Sequence, residues 1–179
     1  MIIKQRNEVF FSLYNEIITS INSSSDILEH EISLTKKWKN FQNIEESFED
    51  IQDKLLNERQ LVEKLMHLTN KIIWCLQMVS QLHQYPQSPN NPEYRDEEDD
   101  KFFKTKSLEI DKIIEFFNKN SLESAHRHLN NVINRNDDYL LSWNQYAIII
   151  NNFMNWFIWG IIPNKIKNIC KEIFDRQYY

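Results

Sequence analysis

The chain has 179 residues, with 26 Asp or Glu against 21 Lys or Arg and a formal net charge of −5. A protein built to neutralise phosphates carries a basic excess, so nucleic acid is not the expected partner. The single glycine, Gly160, excludes most phosphate-cradling loops, nucleophile elbows and two-residue hairpins, which need glycine for positive φ or close backbone approach.

Apolar spacing then predicts an all-α fold: a single-domain bundle of six to eight helices. Its helices occupy 5–84 and 101–179, either side of a long acidic, proline-containing loop at 85–100. Phe10, Leu13, Tyr14, Ile17, Ile18 and Ile21 recur at three- and four-residue intervals and form one helical face. Asn22-Ser23-Ser24-Ser25-Asp26 reads as a break whose short oxygens cap a second helix, carrying Ile27, Leu34, Trp38 and Phe41. Asn43, three residues before Glu46, resembles a capping box for the next.

From there a seam runs through Ile44, Phe48, Ile51, Leu55, Val62, Leu65, Ile72, Leu76 and Val79, with polar Glu58 and Thr69 at seam positions. So long a helix would span about 60 Å, which leads to the expectation of a bend or break around Asn57 to Gln60. Over 72–79 the apolar residues go nearly all round, so this stretch, Trp74 included, is expected inside. Pro86, Pro89 and Pro92 with the run Asp96 to Asp100 define the loop. That run is read as a solvated linker, with an electrostatic docking strip for a basic partner as the second reading.

The second half resumes with Phe103, Ile110, Ile113, Ile114 and Phe117 on a helix expected to start near Thr105. Asn120 or Ser121 caps the next, whose inner face is Leu122, Ala125, Leu129, Val132 and Ile133. Asp137 and Asp138 suit the positive end of the following helix. Its stripe is Tyr139, Trp143, Tyr146, Ile150, Phe153, Phe157 and Ile161. Gly160 and Pro163 mark its end, Asn164 is the expected cap, and Ile166, Ile169, Cys170, Ile173 and Phe174 form a last amphipathic helix. Central packing is expected from Trp74, Leu76, Trp143, Ile150, Phe153 and Phe157.

No residue set is predicted to be catalytic, cofactor-binding or metal-binding. Cys75 and Cys170 lack partners at ligand spacing and read as buried thiols of a reducing compartment. His126 and His128 point about 200° apart on a helix and cannot share one ion. Their surroundings, Ala125-His126-Arg127-His128-Leu129, are locally similar to a histidine-phosphotransfer helix, but Leu129 stands where that family has Lys. The N-terminus, Met1 to Arg6, has no apolar stretch before a cleavage site, so an intracellular, cytoplasmic protein is expected.

Tyr139–Asn164 carries no formal charge for 26 residues and is followed by Lys165, Lys167 and Lys171. The first expectation is a central helix wrapped by others. The second is peripheral membrane contact, with Trp156, Phe157 and Trp159 as an aromatic wedge. A membrane span comes last, because Asn144, Asn151, Asn152 and Asn155 are costly at mid-bilayer.

Arg95-Asp96, Lys101-Phe102-Phe103, Asn130-Asn131-Val132-Ile133 and Trp143 make the second half resemble the N-terminal helical domain of cyclase-associated proteins. The resemblance implies a helical fold and a cytoskeletal regulatory role. The Pro-Gly-Pro turn and His-Thr-Thr-Gly segment of that family have no counterpart here, and no site residue is carried over. Ample apolar helix surface without a reactive constellation makes a non-catalytic protein–protein interaction module, an adaptor or complex subunit, the leading expectation. Peripheral lipid binding is the alternative, and Trp156, Phe157 and Trp159 are the candidate contacts for either a protein or a membrane. The same apolar seams leave room for a homo-oligomer.

Overall fold

The computed structural model describes residues 3–32, 48–82, 97–119 and 121–177, and these are helical with short connections and without a strand. The elements are α1 (Ile3–Asp26), α2 (Phe48–Leu82), α3 (Glu97–Lys119), α4 (Leu122–Ile133), α5 (Tyr139–Ile158) and α6 (Ile161–Gln177). The expected stripe Leu34, Trp38 and Phe41, the Asn43 capping box, Ile44, Asn120 and the loop prolines Pro86, Pro89 and Pro92 lie outside the described residues.

The break expected at Asn22–Asp26 is absent: α1 runs through it and continues as a π-helical turn, Ile27–Glu31. Tertiary burial overrides the poor helix propensity of Ser and Asn here. Ser20 and Ser24 are buried, and the Ser24 hydroxyl donates to the Ser20 carbonyl at 2.8 Å, so the helix interior satisfies its own polar group. The wide turn keeps Ile27, Leu28 and Ile32 all inside, and the Ile32 N–H bonds to the Ile27 carbonyl at 3.0 Å.

No break interrupts the chain at Asn57–Gln60: α2 is continuous for 35 residues, about 52 Å at the usual rise. Its seam alternates three and four residues through Ile51, Leu55, Glu58, Val62, Leu65, Thr69, Ile72, Leu76 and Val79, all of them buried. Glu58 interrupts the apolar pattern without interrupting the helix, because the Tyr146 hydroxyl of α5 donates to its carboxylate at 2.8 Å. The next residue, Arg59, donates to the Asn130 side-chain oxygen of α4 at 3.0 Å.

α3 starts eight residues before Thr105, at Glu97, so Glu97, Glu98, Asp99 and Asp100 belong to its first turn rather than to a loop. Carboxylates suit the exposed N–H groups and positive dipole end there. Ser121 caps α4, its hydroxyl accepting from the Ser124 N–H, and every residue predicted for the α4 inner face is buried. After α4, Arg135 takes a left-handed conformation at φ 49° and lets the chain turn into α5.

α1 packs along α2, α4 lies against both α2 and α5, α3 joins α2 to α6, and α6 also meets α5. Trp143, Tyr146, Ile150, Phe153 and Phe157 of α5 sit in one continuous apolar core with the α2 seam. Trp74 does not join them: it is 57% exposed. Only one flank of the 72–79 stretch meets neighbouring helices, with Ile72, Cys75, Leu76 and Val79 buried while Trp74 and Gln77 face out.

Candidate functional site

The exposure of Trp159, the highest of any large apolar side chain among the described residues, follows from how α5 ends. The Trp159 N–H bonds to the Asn155 carbonyl at 3.1 Å and the Gly160 N–H to the Phe157 carbonyl at 3.3 Å, closing the helix. Gly160 then adopts φ +73°, and α6 begins at once, its Asn164 N–H bonding back to the Gly160 carbonyl at 2.9 Å. Asn164, expected to cap α6, therefore lies inside its first turn. Pro163 is tolerated beside it because the first-turn N–H groups need no intrahelical acceptor. The result is a sharp corner that leaves Trp159 77% exposed, with Ile161 at 48% and Ile158 at 42%.

Gly160 is required here on conformational grounds. A Cβ would face Asn164 Nδ2 at 3.2 Å, which a side chain can relieve, but the left-handed φ strains any L residue. Gly160→Ala is expected to cost about 1–2 kcal/mol, read as a lower Tm, with Gly160→Asn costing less. Equal Tm values for Ala and wild type would contradict this account of the corner.

The three residues singled out in the sequence have separate fates. Trp159 is on the surface. Trp156 is half-buried, its ring edge-on to Phe116 of α3 with centroids 3.9 Å apart. Phe157 is 3% exposed, stacked on Phe153 at 5.9 Å and close to Phe117, and so belongs to the core. Ile158 and Ile161 complete the exposed patch instead.

Beside the corner, α3 and α6 run antiparallel with a groove of about 400 Å³ between them. Ile113, Phe116, Ile162 and Ile169 form its floor, and Glu109, Lys112, Lys165 and Glu172 stand on its rim. The far end is tied by charge. Arg176 donates to the Asp99 carboxylate at 2.8 Å and lies over the Phe102 ring, so part of the acidic run docks the chain's own last helix. Lys106 pairs with both Glu109 and Glu172. Burial alone would lower the Lys106 pKa, but these two carboxylates outweigh it and hold the ammonium above its ordinary value. The near end differs: Lys112, Lys165, Lys167 and Lys171 make no ion pair among the described residues.

The histidines sit apart from this surface. His126 Nε2 lies 3.0 Å from the Glu63 carboxylate of α2, and since a carboxylate only accepts, that nitrogen carries the proton. Its Nδ1 faces Asn130, which in turn receives Arg59. His128 is half-buried, and burial, with Arg127 beside it, pushes its pKa down. Among the described residues no three His, Cys, Asp or Glu side chains gather as a metal ion requires, and no helix is long and apolar enough to cross a membrane.

No protein-family model, curated protein or solved structure matches the chain. The similarity to cyclase-associated proteins therefore rests on the quoted residues alone. Of these, Phe103, Val132, Ile133 and Trp143 are buried, which are positions of packing rather than of recognition.

Proposed function

We propose that the chain is a non-catalytic interaction module, a cytoplasmic adaptor or complex subunit formed by one bundle of six to eight helices. The observation that carries this reading is the groove between α3 and α6, with its apolar floor and the unpaired Lys112 and Lys165 on its rim. An amphipathic helix of a protein partner fits it: an apolar stripe fills the floor and acidic side chains meet the two lysines. No cofactor enters, and Cys75 and Cys170 remain thiols. The ion pairs Lys106–Glu172 and Arg176–Asp99 join α6 to α3 and hold the two walls of the groove together.

The test is affinity capture at physiological salt followed by cross-linking at lysine. A reproducible protein partner is expected, cross-linked at Lys112 and Lys165, with binding weakened about tenfold in the double variant Lys112→Glu, Lys165→Glu, since two exposed charge pairs are lost at up to about 1 kcal/mol each. A partner that cross-links only to other faces, or one indifferent to the double variant, overturns the groove as the contact.

A further inference from the structure

Going beyond the groove, we propose that the α5–α6 corner docks onto an anionic lipid bilayer, Ile158, Trp159 and Ile161 entering its interfacial layer while Lys165 and Lys167 engage acidic headgroups. Three observations lead there. The first is shape. Trp159 is the most exposed large apolar side chain described, and with Ile158 and Ile161 it forms a convex tip on a turn held by three backbone hydrogen bonds. An indole at such a tip has an apolar body and a polar N–H, the combination that favours the boundary between headgroups and acyl chains.

The second is charge. The chain as a whole is acidic at −5, yet three carboxylates of α3 and α6 are already paired: Glu109 and Glu172 hold Lys106, and Glu115 holds Lys119 at 3.6 Å. Lys165 and Lys167 are not occupied, and neither is Lys171 further along α6. They follow directly after an uncharged stretch of 26 residues, Tyr139–Asn164, so the tip meets no acidic side chain of its own helices before those cations. The attraction of a charged surface is set by the charges near the contact rather than by the net total of the chain.

The third is the spread of those cations. Lys165 and Lys167 lie about 6 and 9 Å along the α6 axis from Ile161 and point about 200° apart around it. They cannot converge on a single phosphate or on one fixed carboxylate. A fluid surface brings a headgroup to each, and long lysine stems reach down to it. An acidic protein would need two separate carboxylates either side of a protruding indole.

Sedimentation with vesicles tests this, using phosphatidylcholine alone and phosphatidylcholine mixed with phosphatidylserine. The protein is expected to pellet with the mixed vesicles and not with the neutral ones, and to be released as salt rises. Trp159→Ser should weaken partitioning about tenfold or more through lost apolar burial, and Lys167→Gln about fivefold through one lost cation. Trp74→Ser removes an indole of comparable exposure from α2 and should leave partitioning unchanged. All three changes are at exposed positions, and circular dichroism melts verify that each variant folds. Failure of the wild type to pellet with the mixed vesicles overturns the proposal, as does equal loss in Trp159→Ser and Trp74→Ser. Loss of a protein partner at the groove in Lys112→Glu, Lys165→Glu is a separate readout, so either reading can fail alone.

Discussion

Trp143→Ala is expected to cost about 3–5 kcal/mol of folding free energy, while Trp74→Ala should cost about 0.5 kcal/mol, the usual scale for an exposed site. Trp143 is 0% exposed, lies 5.4 Å from the Tyr146 ring and sits on the α5 face that meets the rest of the core. Truncation would remove the indole and leave a void that a helix pinned on several sides cannot close. A domain of this size has only about 5–15 kcal/mol in hand, so the first variant is expected to approach the limit of folding. Trp74 is 57% exposed and has little packing to lose. Urea unfolding of the two variants measures the contrast directly. Equal destabilisation would mean that the 72–79 stretch is enclosed after all, as its composition suggests.

The second large effect concerns Glu58 and Tyr146. Both are buried, and the phenol O–H donates to the carboxylate at 2.8 Å. Tyr146→Phe keeps the ring and removes the donor, which should cost about 1.5–3 kcal/mol, the range for a hydrogen bond to a charged group. It should also change how stability responds to alkali. Burial first, and then the neighbouring Glu58 charge and the hydrogen bond, push the Tyr146 pKa well above its ordinary 10.0. The folded chain thus holds this proton more tightly than the unfolded chain does. Its contribution is whole below pH 10 and drains away as pH rises beyond it. Burial also pushes the Cys170 thiol from 9.0 up to about 12, adding a second loss between those values. Wild type should therefore weaken steadily above pH 9. Tyr146→Phe should start lower and fall less steeply, and parallel wild-type and variant curves would contradict the assignment.

Much of the bundle was legible in residue spacing because period-3.6 burial is what a helix in a core imposes. The α2 seam from Ile51 to Val79 and the α4 face from Leu122 to Ile133 are buried as read. Local signals misled where packing opposed them. The Ser-rich Asn22–Asp26 segment stays helical because Ile21, Ile27 and Leu28 hold both sides of it in the core. The Glu97–Asp100 run looks like a linker by charge, yet four carboxylates are well placed at a helix start. Trp74 could not be placed because an all-round apolar stretch does not say which neighbour is missing.

The corner was half legible. Phe157 falls on the same stripe as Trp143, Tyr146, Ile150 and Phe153, and so its burial follows from phase, while Trp159, two residues on, is turned to the opposite side. Ile158 was missed, and Ile161, read as the end of the buried α5 stripe, instead opens α6 at 48% exposure, although Gly160 between them signalled the turn that strands both outside. The groove had no sequence signal, since its two walls, at Glu109–Phe116 and Ile162–Glu172, meet only in three dimensions.

The two thiols lead to one more point. Cys75 on α2 and Cys170 on α6 are both buried, and burial raises the pKa of each above the ordinary thiol value. Nucleophilic attack by cysteine needs the thiolate, and oxidants need access to it. Neither condition is met while the helices stay packed. Alkylating and oxidising agents therefore reach these two thiols at the pace of the chain's own opening, and the cysteines serve as timers of how often α2 and α6 part from their neighbours.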